Sequence, residues 1–168
     1  VSETFAVTSV DGMTADWLWT DSEGLVSGVA LDTTSGDIFL TVGEGRGNAL
    51  VALMQDGKVV WSWHVWVTDA PQTMTYGNGT VFMDRNLGAL KSGLWETNGN
   101  NLALGLLYQW GRKDPFPYDL AAFDYGEGFA FGTYYGEDSS TATVTWAAAH
   151  PATLLGRAAD PSDPAQRL

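Results

Sequence analysis

The chain has 168 residues, 45% of them hydrophobic, enough for one domain that buries about 70% of the surface its unfolded form exposes. Only 8 Lys plus Arg stand against 20 Asp plus Glu, and this net charge of −12 disfavours nucleic acid and anionic membrane surfaces, which both need clustered bases. Cysteine is absent, which removes disulfides and thiolate metal sites, while 20 Gly and 8 Trp favour short strands and tight turns over helices.

Residues 1–45 carry no Lys or Arg and predict three or four short strands. Thr4 to Val10 alternates weakly and ends at the Asp11-Gly12 turn. Ala15 to Thr20 places Trp17 and Trp19 on one face at strand spacing. Leu25 to Leu31 sets Leu25, Ser27, Val29 and Leu31 on one side, and Ile38 to Val42 follows the Ser35-Gly36 turn. Alternation of period two between glycine turns marks half-buried antiparallel strands.

The strongest local signal is a hairpin over 48–68. Two apolar runs, NALVALM and KVVWSWHVWV, flank Asp56-Gly57, a two-residue turn in which both positions need positive φ. Regular pairing from Gln55 opposite Lys58 predicts Leu53 opposite Val60, Ala52 opposite Trp61 and Leu50 opposite Trp63. It puts Val59, Trp61, Trp63 and Val65 on one face and Val60, Ser62, His64 and Trp66 on the other. Both faces are mostly apolar, so the hairpin is expected to be central and covered on both sides, with Trp61 and Trp63 in the core.

From Pro71 to Gly99 the chain reads as loop, with a turn at Tyr76-Gly77-Asn78-Gly79 before a strand at Thr80 to Asp84. Asn100 or Asn101 is expected to cap a short helix to about Trp110, carrying Leu102, Leu106 and Trp110 at helical spacing. Residues 112–140 predict an irregular loop with aromatic anchors. Thr145 to Leu155 predicts a helix interrupted near Pro151, and 161–168 a loose tail. No apolar run of 18 or more residues occurs, so no direct membrane insertion is expected. The start at Val1 suggests a mature or trimmed product. The fold class is thus β-rich α+β, antiparallel sheets around a central hairpin with one or two short helices, in one domain spanning 1–168.

Three ordered blocks, Gly47 to Asp69 (GNALVALMQDGKVVWSWHVWVTD), Met83 to Leu90 (MDRNLGAL) and Leu104 to Pro117 (LGLLYQWGRKDPFP), resemble the major paralogous, FISUMP-type domain of Bacteroidota surface lipoproteins and fimbrillin- or pilus-tip-associated proteins. The resemblance covers about two-thirds of the chain and defines a family-like region, 46–160. It implies an exported, envelope-associated protein with a C-type-lectin-like architecture. Family members continue past the equivalent of Asp160 into a second half, so a cut chain, or a short version completed by a second polypeptide, is expected. The Glu-Pro-Asn, Gln-Pro-Asp and Trp-Asn-Asp triplets with which lectins of that fold hold calcium and sugar are absent, so a calcium-dependent mechanism does not carry over.

Candidate chemistry is sparse. His64, between Trp63 and Trp66, is read first as a buried histidine with one hydrogen-bond partner, and His150 before Pro151 as a loop or helix-end residue. Two distant histidines and no cysteine leave no zinc site, and no nucleophile elbow, phosphate loop or dinucleotide fingerprint points to a cofactor. Asp84-Arg85-Asn86 is read as an ion pair bracing a strand-to-loop turn, with ligand contact as the alternative. Arg112-Lys113-Asp114 carries the densest positive charge and is read as a loop pinned to the scaffold by ion pairs, Arg112 forking onto a carboxylate such as Asp84, with ligand contact through Arg112 and Asp114 as the alternative. Trp95 with Asn98 and Asn100, in a Gly- and Asn-rich loop, is the expected glycan platform, since exposed indoles stack on sugar rings. The acidic stretches read as a solvated face, or alternatively as a cation site.

The leading functional reading is a non-enzymatic surface binding or adhesion module that recognises a glycan or a surface protein through loops on a β scaffold. A structural pilus or assembly subunit completed by another chain is the alternative. A carbohydrate hydrolase is the third, and needs two carboxylates about 5 or about 6.5–9.5 Å apart, one with a raised pKa.

Overall fold

The computed structural model describes residues 9–93, 101–109, 111–117, 124–125, 132–134 and 143–155. It is β-rich and mainly antiparallel, as the composition and turn spacing predict. The main sheet runs in the order β5-β4-β1-β8, formed by β1 (Met13–Thr20), β4 (Gly47–Gln55), β5 (Lys58–Val67) and β8 (Asp124–Tyr125). β2 (Val26–Leu31) and β3 (Ile38–Val42) make a hairpin, as do β6 (Thr73–Thr75) and β7 (Val81–Met83). β9 (Gly132–Tyr134) and β10 (Thr153–Leu155) form a parallel pair.

The Asp56-Gly57 turn forms as predicted, with φ of 52° and 73° at its two residues. Its strands do not keep a regular register. Met54 pairs with Val59, but Leu53 pairs with Trp61, so Val60 is an extra residue, a β-bulge. Beyond it every pairing shifts by one, to Ala52 with Ser62, Val51 with Trp63 and Leu50 with His64. Val59, Ser62, His64 and Trp66 therefore share one face, and Trp61, Trp63 and Val65 the other. The expected grouping of Val59 with Trp61 is corrected. β1 bulges in the same way at Leu18, between Trp17 opposite Val51 and Trp19 opposite Leu50. Trp17 and Trp19, expected on one face, thus point to opposite sides of the sheet.

Each face buries its own cluster. On one side Leu18, Trp19, Leu50, Ala52, Met54 and Val59 pack together, with Leu106 against them. On the other, Leu25, Val26 and Ala49 pack with Trp17, Val29, Leu40, Val65 and Val67, so the β2–β3 hairpin covers that face. Fully burying side chains such as Leu50 contributes about 2 kcal/mol each. Ser27 does not follow the predicted alternation. It falls at a register shift between Val26 and Gly28 and is exposed, while Leu25 and Val26 are both buried. Of the predicted central hairpin only β4 is central, buried along all but its last residue; β5 lies beside it at the sheet edge.

The helix expected up to Trp110 does not form. A single 3-10 turn, Asn101–Ala103, is followed by Gly105 at φ +77°, where an added Cβ would meet Leu87 O at 2.5 Å. The chain is instead tied down by Leu106 N to Leu87 O (3.0 Å) and by a reciprocal bridge between Leu107 and Phe116 (2.7 Å each way). Helical spacing of leucines here reflects anchoring to separate neighbours. The C-terminal helix α1 (Val144–Ala149) is shorter than expected. Thr143 caps it, accepting a hydrogen bond from Trp146 N, and His150 closes it before Pro151, after which the chain becomes β10. The strand expected at Thr4 to Val10 lies largely outside the described residues, and the tail 161–168 wholly so.

Candidate functional site

Two regions on opposite faces of the sheet hold the chemistry. The first is an open groove between the β2–β3 hairpin and strands β4 and β5. Its volume is about 330 Å³, and Gly36, Asp37, Ile38, Leu40, Val51, Leu53, Trp63 and Val65 line it. The β3 side chains Ile38 and Leu40 form one wall, Val51 and Leu53 the floor, and Trp63 stands at the mouth, 42% exposed. Trp63 was expected in the core. Its strand β5 is at the edge of the sheet, where the hairpin covers the neighbours Val65 and Val67 more fully.

The second region, on the other face, is a chain of polar side chains of which sequence reasoning singled out His64, Lys113 and Asp114 but not Asn48 or Asp21. Asn48 is only 1% exposed, and both its amide hydrogens and its carbonyl oxygen have partners. Its Nδ2 donates to Asp21 Oδ2 (2.7 Å) and to Gly88 O (2.9 Å), both pure acceptors there, so its Oδ1 is the atom facing His64 Nε2 at 2.9 Å. That arrangement makes His64 Nε2 the donor. The Asn48 backbone N–H adds a 2.6 Å bond to Asp21 Oδ1. Burial pushes the His64 pKa down, opposed by the Asp114 charge, and burial pushes Asp21 up against the hydrogen bonds from Asn48. Two glycines make room: a Cβ on Gly47 would meet Asp21 Oδ1 at 2.6 Å, and one on Gly88 would overlap Leu106.

Asp114, 3% exposed, continues this face. It accepts Ser62 Oγ–H through Oδ2 (3.0 Å), while Lys113 Nζ donates to Asp114 Oδ1 (2.7 Å), Ser62 Oγ (2.6 Å) and Ser62 O (2.7 Å). Lys113 also lies 4.5 Å over the Trp61 ring. Burial pushes its ammonium pKa down, against the pull of Asp114. The Ser62 hydroxyl donates to a carboxylate and His64 donates to an amide, so Ser62, His64 and Asp114 do not form a nucleophilic relay.

Asp84 and Arg85 pair as expected, Arg85 Nε to Asp84 Oδ1 at 2.9 Å and Nη2 to Oδ2 at 3.1 Å. Arg85 also reaches both oxygens of Asp69 (3.3 Å), and Arg46 joins Asp69 at 2.8 Å. Asn86 Nδ2 donates to Leu104 O (3.2 Å), bracing the next segment. Arg112 does not reach Asp84, whose carboxylate Arg85 occupies. Arg112 Nη2 donates instead to His150 O (2.6 Å) at the end of α1, and its guanidinium lies 5.0 Å over the Phe116 ring. The expected platform of Trp95, Asn98 and Asn100 lies outside the described residues. Among the described residues no group of three His, Asp or Glu side chains is placed to hold a metal ion, and no helix is long and apolar enough to cross a membrane. No family model, curated protein or solved structure matches the chain.

Proposed function

We propose that this chain is a non-enzymatic binding module of an exported, cell-surface protein of the FISUMP type, and that it holds a glycan in the groove beside Trp63. The observation that carries the reading is the groove itself: about 330 Å³, apolar on its floor and walls, with a part-exposed indole at its mouth and the Asp37 side chain on its rim. An aromatic face against the apolar face of a sugar ring, with a nearby carboxylate to accept hydroxyl hydrogen bonds, is the usual physical basis of glycan capture. The resemblance in three sequence blocks supplies the envelope location and the expectation of binding.

A hydrolytic role draws less support. Hydrogen bonds from Arg85 hold Asp69 and Asp84 below the usual carboxylate range, so neither is a proton donor near neutral pH. Asp21, pushed up by burial, has both oxygens occupied by Asn48. A glycan array followed by titration calorimetry tests the proposal. Trp63→Ala should weaken the best glycan about thirtyfold, the effect of losing a central aromatic anchor, while an exposed position leaves folding nearly unchanged. Absence of any glycan binding, or binding that Trp63→Ala leaves intact, would sink it.

A further inference from the structure

The groove beside Trp63 carries an acid and no base. None of its lining residues is Lys or Arg, and Asp37 is the only ionisable one among them. The β2–β3 hairpin that walls it, residues 26–42, holds Asp32 and Asp37 and no Lys or Arg; the first base in the chain is Arg46, paired with Asp69 at 2.8 Å. The two acids of the hairpin are used differently. Asp32 holds the turn, its carboxylate accepting from Thr34 N (2.8 Å) and Ser35 N (3.3 Å). Asp37 is fixed through its backbone, whose N–H donates to Ser35 Oγ (3.2 Å) and whose carbonyl accepts from Asp32 N (2.9 Å). Its own carboxylate has no hydrogen bond or ion pair among the described residues, so an exposed, positioned anion stands spare at the rim of an apolar groove.

The rest of the lining narrows what this carboxylate takes. Ile38, Leu40, Val51, Leu53 and Val65 give a ligand's hydroxyls nothing to bond to, so a sugar seated there buries an apolar face and presents one polar group to Asp37. A hydroxyl bonded to Asp37 replaces a bond it already had with water, whereas an ammonium gains a charge-assisted bond about twice as strong as a neutral one. The same ammonium makes the C–H face of its ring more positive, which suits the negative face of the Trp63 indole. An acidic sugar meets the opposite field: Asp37 repels it, and a chain of net charge −12 offers it no base in the groove. We infer that the groove selects a glycan bearing a free, protonated amine, with Asp37 as the residue that reads the amine. This rests on the glycan reading of the groove and names the class of sugar within it.

Two oligomers that differ only at the amine test it, β-linked glucosamine and its N-acetylated counterpart, titrated into the whole chain at about pH 6, where the free amine is protonated. The free-amine oligomer should bind about fivefold tighter, the upper range of an exposed ion pair, and added salt should narrow the gap. Asp37→Asn should bring that preference below about twofold while leaving affinity for the N-acetylated oligomer in place. Glu44→Gln removes the same charge at an exposed position beyond the far end of β3, outside the groove, and should keep the preference. That pair of variants separates recognition at Asp37 from the general attraction of a cation to an acidic protein. An oligogalacturonate, with carboxylates in place of amines, should bind more weakly than either oligomer. Equal affinity for the two oligomers, both lost with Trp63→Ala, overturns this inference and leaves the glycan reading standing. A preference that Asp37→Asn leaves intact, or that Glu44→Gln removes equally, overturns it as well. So does binding of neither oligomer, and the glycan array then decides separately whether the groove takes another sugar.

Discussion

Replacing Asn48 by alanine tests the buried polar chain most directly. The change removes three side-chain hydrogen bonds, to Asp21 Oδ2, Gly88 O and His64 Nε2, and keeps only the backbone bond to Asp21. A net hydrogen bond contributes about 1 kcal/mol, and a buried group left without a partner costs about 1–3 kcal/mol. Half-buried Asp21 can recover water, whereas Gly88 O and His64 Nε2 recover less. The expected loss is therefore about 3 kcal/mol, a fall in Tm of about 6–12 °C for a chain of this size. Urea unfolding followed by tryptophan fluorescence measures it. A double-mutant cycle with His64→Leu should return a coupling of about 1 kcal/mol, because the two residues share one bond. A loss below about 1 kcal/mol, or no coupling to His64, would refute the claim that this network holds the face together.

Two further outcomes are expected. Because burial holds the His64 pKa below its ordinary value of 6.5, the unfolded chain takes up a proton first as pH falls. Its contribution is complete above pH 6.5 and is lost on acidification down to the folded pKa, so urea midpoints should fall from pH 7 toward 6, and His64→Gln should flatten that slope. Asp21, raised by burial, has the opposite sign, and its effect comes lower, in the carboxylate range. Gly88→Ala places a Cβ at φ +81°, into Leu106 and 3.2 Å from Asn48 Oδ1, and should cost about 3 kcal/mol in the same unfolding assay.

The turns were legible in the sequence because their chemistry is local. Asp56-Gly57, Ser35-Gly36 and Tyr76 to Gly79 all stand where the residues place them. The β-rich class followed from the same signals. Bulges were not legible: nothing in VVWSW says that Val60 is the unpaired residue, since the choice depends on which face must bury what. That one residue decides the site. In a regular register Asn48 and His64 lie on opposite faces of the hairpin and cannot meet. With Val60 extra, Leu50 pairs with His64 and Asn48 with Trp66, and the two polar residues become diagonal neighbours on one face. Helical spacing at Leu102 and Leu106 misled for a related reason, because Gly105 and the Leu107–Phe116 bridge serve long-range contacts that periodicity does not report.

The same bulge connects fold to proposed function. By turning Ser62 and His64 inward to the polar chain, it turns Trp61 and Trp63 outward, one under the Lys113 ammonium and the other to the groove. Asn48 is then held by Asp21 and Gly88, and Ser62 by Asp114 and Lys113. A sheet face locked by such bonds resists sliding, since a slip of one residue would strand every one of them. In the proposed reading, rigidity on that face keeps Trp63, on an edge strand, in a defined position at the groove mouth. Pre-organisation of this kind lowers the entropy cost of binding, so a single part-exposed aromatic can anchor a ligand that a mobile loop would hold only weakly.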